Sequence, residues 1–461
     1  MADKKQQLIK IGLLGLGTVG GGVYKTILNN FDVIRTRTGC EVTVSRVLVR
    51  DLEKERQLDV DGSLLTLEPE DLIGDASIDI FIEVMGGIEP AKTIILDVLR
   101  SGRHVITANK ELLAKHGAEL LEVAEENGVH LLFEASVAGG IPIIRLLQGY
   151  LTANRVDGIS GILNGTCNYI LTKMAKTGRD YSEILEEAKL LGYAEADPTS
   201  DVEGYDAAYK LAILANLAYD VQVETANIER QGISQLSSAD VKAAKRLGYT
   251  IKLVGAAAKE QEGVRLSVRP RLLPDDHPLA RVDDVFNAVT VQADVVGDLT
   301  FIGRGAGELP TASAVVEDLT ALLTGGDAIR RPSWHRRLEE SASGAEGGEP
   351  GGLYLSAAFD ERECTERAER LEAALFTQGG FVAKSERLPL GDGKILQSWL
   401  LGGVSETQVR QEWQKQVQNA PQAPTLLFLP VEGPLEPGVE WIATTGSSYH
   451  ERNWTLDSQV L

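Results

Sequence analysis

Asp206 and Lys210 lie four residues apart in the stretch Asp206-Ala207-Ala208-Tyr209-Lys210-Leu211-Ala212-Ile213-Leu214-Ala215, which is apolar on nearly every face of a helix. That spacing puts both charges on one side of the helix. A solvated surface pair is the ordinary reading, but the apolar surroundings favour a desolvated pair in a cleft, where a lysine titrates readily and can move a proton to and from a hydroxyl. The preceding loop carries Glu195, Asp197, Asp201 and Glu203. It holds no histidine and its carboxylates are separated by turn residues, so it suits a divalent metal poorly. The ammonium of an amino-acid substrate is a better match. Lys110 follows Asn109 at the end of a strand, where the carboxyl edge of a parallel sheet faces its ligand; the alternative is a surface lysine at a helix start.

Near the amino end stands Gly15-Leu16-Gly17-Thr18-Val19-Gly20, a G-x-G-x-x-G pattern between a strand and a helix. Gly15 allows the tight turn, Gly17 lets a pyrophosphate approach the backbone and Gly20 lets the helix pack on the strand, while the helix amino terminus faces the phosphates. This context predicts a dinucleotide. The next strand ends Val49-Arg50-Asp51. Arg50 suits the 2′-phosphate of NADP and Asp51 the free hydroxyl of NAD, so both cofactors stay open, with the arginine favouring NADP.

The elements that must hold these residues follow from periodicity. Apolar β-branched runs at Leu8–Leu14, Val42–Val49, Ile78–Glu83, His104–Thr107 and His130–Phe133 read as strands, separated by helices at Gly20–Asn29, Ala91–Ser101 and Lys110–Asn127. Alternation of this kind predicts an α/β fold with a Rossmann-type nucleotide-binding domain over residues 1–135 plus 302–330. Residues 136–301 read as an α+β second domain, with helices at Tyr181–Leu191 and Glu203–Tyr219 and strands at Thr250–Ala256 and Val264–Leu272. Gly303–Gly307 reads as a turn before a helix at Thr311–Thr324. Residues 331–352, poor in apolar side chains, read as a flexible linker. Residues 353–431 give the order βαββαβ of a ferredoxin-like unit, and residues 432–461 remain unassigned.

Composition narrows the classes. Forty-six basic against 67 acidic side chains leave a formal charge of −21, unsuited to nucleic acid or an anionic membrane surface. Cys40, Cys167 and Cys364 are scattered with no paired spacing, so a reducing cytoplasm is expected. The amino-terminal apolar run is too short and glycine-broken to cross a bilayer.

Beyond the glycine loop come Thr107-Ala108-Asn109-Lys110, Glu134-Ala135-Ser136-Val137-Ala138-Gly139-Gly140-Ile141-Pro142, Asn164-Gly165-Thr166-Cys167-Asn168-Tyr169-Ile170-Leu171, the block Gly192–Asp206, and Gly305-Ala306-Gly307-Glu308-Leu309-Pro310-Thr311-Ala312. In this order and spacing they resemble homoserine dehydrogenases over about residues 8–330. The resemblance implies NAD(P)-dependent interconversion of L-homoserine and L-aspartate 4-semialdehyde, on the route to threonine and methionine. By the same resemblance Lys210 is the proton donor and acceptor, Asp206 lies beside it, Lys110 reaches the meeting point of cofactor and substrate, and Glu195 and Asp201 bind substrate. It further implies that residues 136–301 form the α+β catalytic and dimerisation domain, a monovalent cation such as sodium or potassium at Glu134, Val137, Gly139 and Ile141, held mainly by main-chain oxygens, closure of the Gly307 turn over the cofactor, and a homodimer or homotetramer. Another Rossmann dehydrogenase of an amino-acid-derived substrate, or a catalytically silent NAD(P)-binding regulator, are the competing readings.

The carboxyl-terminal unit resembles the ACT regulatory domain that many of these enzymes carry. Such domains hold an amino-acid effector at a proline- and glycine-containing turn after the first strand, whereas here that turn reads Asp360-Glu361-Arg362-Glu363-Cys364. Acidic side chains repel an effector carboxylate, so the expectation is an ACT-like fold without threonine inhibition.

Overall fold

The computed structural model describes residues 7–56, 58–260, 263–325, 332, 334, 336–337, 352–417 and 426–437. The chain divides into two compact units, Met1–Gly347 and Gly348–Leu461.

The first unit opens with strands β1 (Gln7–Leu14), β2 (Cys40–Leu48), β3 (Leu65–Thr66), β4 (Ile80–Glu83), β5 (His104–Thr107) and β6 (Leu131–Leu132), which form one six-stranded sheet in the order β3-β2-β1-β4-β5-β6. Neighbouring strands pair in parallel. This is the doubly wound order, in which a ligand crevice opens beyond the carboxyl ends of β1 and β4. Ile11, Leu13, Phe81, Ile82, Val105 and Ile106 are fully buried, as continuous apolar runs in a sheet covered on both faces require. The late helix Glu308–Gly325 joins this part: Ala312, Val315 and Leu319 enter the same core as Val23 and Ile27 of the helix Thr18–Asn29. That helix starts at Glu308 rather than Thr311, because Pro310 fits a first helical turn.

After the crossover at residues 133–142, an antiparallel sheet runs Gly297–Arg304, Phe286–Ala293, Val156–Ile162, Tyr249–Glu260, Gly263–Pro274. The helices Gly165–Thr177, Tyr205–Tyr219 and Ser238–Leu247 belong to the same region. The helix expected over Glu203–Tyr219 begins two residues later, at Tyr205, since Gly204 sits at φ 80° and separates it from the short helix Thr199–Val202. The turn expected at Gly303–Gly307 is shorter, because the strand continues through Arg304.

Part of the expected linker is built into the first unit. Trp334 is buried, its ring edge-on to Phe133 at 6.0 Å and packed over Gly117, where a Cβ would strike the indole. Arg336–Arg337 pairs in parallel with Val221–Gln222. The remainder of residues 338–351, and residues 438–461 of the unassigned tail, lie outside the described residues.

The second unit has the order strand Gly352–Asp360, helix Glu361–Thr377, strands Phe381–Gly391 and Lys394–Gly402, helix Glu406–Val417, strand Leu427–Val431. Its antiparallel sheet runs Leu427–Val431, Gly352–Asp360, Lys394–Gly402, Phe381–Gly391, the ferredoxin-like arrangement. Leu355, Phe359, Leu371, Trp399, Val409 and Trp413 form its core. No loop separates the first strand from the first helix: Asp360 ends the strand and Glu361 begins the helix. Among the described residues no helix is long and apolar enough to cross a membrane.

Candidate active site

The helix Tyr205–Tyr219 is buried along almost its whole length, with Asp206 and Lys210 3% and 6% exposed. Lys210 Nζ donates to Asp206 Oδ2 at 2.6 Å and to the Leu163 carbonyl at 2.8 Å. Lys110 Nζ, from the first turn of the helix Lys110–Glu126, reaches the other oxygen, Asp206 Oδ1, at 2.6 Å. Two ammonium groups from different elements therefore share one carboxylate. Burial alone would push the Asp206 carboxyl up, but the two cations outweigh it and hold it well below the usual carboxylate range. The lysines diverge. Burial draws Lys210 down from the ordinary lysine value despite Asp206, whereas Asp206 raises the half-exposed Lys110. Burial and charge therefore act on the two ammonium groups in opposite directions.

Asn164 ties the acidic loop to this centre. Its amide Nδ2 donates to Asp201 Oδ1 at 2.7 Å and to Asp206 Oδ2 at 2.8 Å, and its Oδ1 accepts from the Cys167 N–H at 2.8 Å, capping the helix Gly165–Thr177. Asp201 is pushed up by burial and by Asp206. Exposed Glu195 is near enough to contribute to the rise of Lys110. Asp197 turns instead to its own loop, accepting from Thr199, and Glu203 accepts from Ser234. Cys167 is buried with its thiol pushed well above the ordinary value by burial, so it is a packing group and no thiolate nucleophile.

The carboxyl edge of the parallel sheet is stiffened by residues that sequence reasoning passed over. Buried Glu83, at the end of β4, accepts from Thr107 Oγ1 at 2.5 Å and from the Met85 and Gly86 N–H groups. Asn109 donates to the Gly87 carbonyl at 2.6 Å and caps the helix that starts at Lys110, so Lys110 is held by the same network. A lone glutamate in an apolar strand was the available signal.

In the glycine loop, Gly15 has φ 105°, a Cβ at Gly20 would strike the Gly15 carbonyl, and a Cβ at Gly17 would meet open space. No side chain caps the helix Thr18–Asn29 and its first turn holds no acid, leaving the amino terminus suited to an anion. Thr18 is exposed and Val19 half-buried at that terminus. A groove beside it is lined by Gly15, Gly17, Arg50, Asp51, Lys54 and Arg56. Arg50 is thus on the groove, joined by two cations not singled out from sequence. A nucleotide fits this surface: the backbone can be approached at Gly17, and three cations line the groove together with Asp51. Gly307, at φ 121°, leads into the helix whose Glu308 pairs with Lys25 of the glycine-loop helix at 2.8 Å.

The crossover is organised around Glu134, whose carboxylate accepts from the Ile144 and Arg145 N–H groups at 2.9 and 2.7 Å. Its own N–H donates to Asp318, which also pairs with Arg145. Burial, then Asp318, pushes the Glu134 carboxyl up to about 7. Val137 and Ile141 are buried, and Ala138 and Gly139 both lie at positive φ (53° and 41°). No cluster of three or more histidine, cysteine or acidic side chains that could hold a metal occurs among the described residues.

Known proteins resemble this chain over most of its length. Residues 15–134 match the NAD binding domain of homoserine dehydrogenase and residues 142–320 match the homoserine dehydrogenase family. The chain is 52% identical over 315 residues to a homoserine dehydrogenase of Bacillus subtilis, covering 68% of this chain and 73% of that one. A crystal structure of a homoserine dehydrogenase from Thiobacillus denitrificans superimposes with a TM-score of 0.81 at 37% identity, over 93% of this chain and 99% of the other. A hyperthermophilic archaeal homoserine dehydrogenase in complex with NADPH aligns with a TM-score of 0.59 at 29% identity, over 68% and 97% of the two chains. The chain belongs to the homoserine dehydrogenase family of nicotinamide-dependent oxidoreductases, which interconvert L-homoserine and L-aspartate 4-semialdehyde.

Proposed function

We propose that the shared Asp206 carboxylate divides the labour of homoserine oxidation between two lysines. The observation that carries this reading is the burial of Lys210 and the half-exposure of Lys110 on opposite oxygens of one acid. Lys210, neutral at Nζ, takes the hydroxyl proton of homoserine; in the reverse direction its ammonium returns that proton to the oxygen of the semialdehyde. Lys110 stays an ammonium beside the same oxygen and stabilises the charge that develops there. Glu195 receives the substrate's α-ammonium, and Asp201, fixed by Asn164, completes the substrate pocket. The bound nicotinamide supplies or accepts the hydride.

Gly15, Gly17, Thr18, Val19 and Gly20 cradle the pyrophosphate. Arg50, with Lys54 and Arg56 on the same groove, favours the 2′-phosphate of NADP over NAD. Gly307 and Lys110 face the nicotinamide end. A sodium or potassium ion at Glu134, Val137, Gly139 and Ile141 would be held by main-chain carbonyls of the bend, since the Glu134 carboxylate already serves two backbone N–H groups. The enzyme works in the cytoplasm as a homodimer or homotetramer, and its second unit is an ACT-like domain. The test is NADPH oxidation on addition of L-aspartate 4-semialdehyde. Turnover with this aldehyde is expected, and its absence with folded, NADPH-binding protein would overturn the reading.

A further inference from the structure

Asn287 is a buried polar residue that neither the family motifs nor the proton-transfer scheme uses. It lies in the strand Phe286–Ala293 and is 1% exposed. Its neighbour Ala288 pairs with Ile162, which places Asn287 beside the next residue of the facing chain, Leu163. There Asn287 Nδ2 donates to the Leu163 carbonyl at 3.0 Å. That carbonyl is the one that accepts from Lys210 Nζ at 2.8 Å. The amide orientation follows from chemistry, because the opposite one would set two acceptor oxygens against each other.

Holding this bond leaves Asn287 Oδ1 buried without a hydrogen-bond partner among the described residues. A buried, unpaired amide oxygen is unfavourable, so packing alone does not account for an asparagine here. The surroundings also make room for it. Gly305, which has no positive φ to explain its glycine, faces Asn287 so closely that a Cβ would run into the amide. The turn bearing Gly305 is in turn held to the crossover, where Gly140 N–H donates to the Arg304 carbonyl at 2.9 Å.

Lys210 has three N–H bonds as an ammonium. Asp206 takes one and the Leu163 carbonyl a second, so the third is aimed by the other two. We propose that Asn287 is a positioning residue for the proton transfer: by fixing the Leu163 carbonyl it keeps that acceptor on Lys210 and directs the remaining N–H, or the lone pair of the neutral amine, to the substrate oxygen. The inference rests on Lys210 as the acid and base of the reaction. Besides Asp206, the charged or titratable groups facing Lys210 are Lys110, Asp201 and Cys167.

The test compares Asn287→Leu and Asn287→Asp with the unaltered enzyme, reading the pH dependence of kcat/KM for homoserine oxidation together with NADPH binding by fluorescence. Leucine removes the donor, loosens an acceptor of the ammonium and should move the acidic limb to lower pH. Aspartate has nearly the same shape; ionised, it loses the donor as leucine does but adds a carboxylate near the ammonium, and should move that limb to higher pH. Shifts of about half to one unit are expected, with kcat reduced about tenfold in both and NADPH affinity unchanged. A merely structural role would not displace the limb in opposite directions. If the leucine variant does not fold, the aspartate variant decides alone. Profiles that superimpose on the unaltered enzyme, with kcat within about twofold, would overturn the proposal. Lys210→Ala run in parallel keeps the two readings apart: activity retained there refutes the lysine assignment, whereas activity lost there with unchanged Asn287 variants refutes only this inference.

Discussion

The Asp206–Lys210 cluster and the groove beside the glycine loop belong to one unit but are built from opposite materials. The first is made of buried charges: Asp206 and Lys210 are almost inaccessible and every polar contact between them is within 3 Å. The second is made of backbone and exposed cations, with Gly15, Gly17 and Gly20 leaving the helix terminus bare and Arg50 standing in solvent. Charge in a low-dielectric site is strongly coupled, so one change there propagates; charge at a wet surface is screened, so one change there is graded. The two regions should therefore differ sharply in their response to single substitutions.

The largest effect is expected from Asp206→Ala. Removing the shared carboxylate leaves two ammonium groups facing each other, one of them buried, and breaking a buried pair in this way typically destabilises by about 3–5 kcal/mol. Urea denaturation should record that loss together with a fall in kcat of at least 100-fold or so. Wild-type stability in this variant would mean that the centre is far wetter than its burial indicates.

Glu195→Gln should act next in size. Glu195 is exposed, so the fold should persist while KM for homoserine rises by the equivalent of about 1.5–3 kcal/mol, a hydrogen bond to a charged group. An unchanged KM would place the substrate ammonium elsewhere.

Arg50→Ala belongs to the groove and should be milder. Exposed ionic contacts contribute on the order of 1 kcal/mol, so KM for NADPH should rise a few-fold while KM for NADH stays put. Equal changes for both cofactors would remove Arg50 from the 2′-phosphate. The smallest effect is expected at the second unit, where added threonine should leave activity unchanged, since the strand Gly352–Asp360 passes straight into its helix with Glu361 and Glu363 in the first turn. Threonine inhibition abolished by truncation before Gly352 would show that this turn still receives an effector.

The same contrast in materials explains how much could be read from sequence. The glycine loop was legible because a strand, a G-x-G-x-x-G turn and a helix form a local pattern, and the four-residue spacing of Asp206 and Lys210 is local as well. The ferredoxin-like order of the second unit followed from alternating periods. What escaped was assembled from distant segments. No spacing rule relates Lys110 to Asp206, Glu83 to Thr107 or Asn287 to Leu163; those pairs exist only once sheets bring the segments together. The hairpin Phe286–Arg304 was missed for a different reason, since its outer strand alternates between exposed and half-buried positions and lacks an apolar run. Burial of Trp334 against Phe133 likewise joins segments that no local pattern relates.

The central claim is that the proton moves through Lys210 and that its burial, not cofactor affinity, is its contribution. The measurement is kcat of Lys210→Ala at saturating homoserine and NADP, alongside NADPH binding by fluorescence and the pH profile of the unaltered enzyme. Because burial lowers the lysine and the neutral amine is the base, oxidation should rise with pH through a value below the ordinary lysine value of about 10.4. The variant should lose about 10²–10⁴-fold in kcat and bind NADPH as before. A variant that keeps more than roughly a tenth of the original kcat would contradict the account.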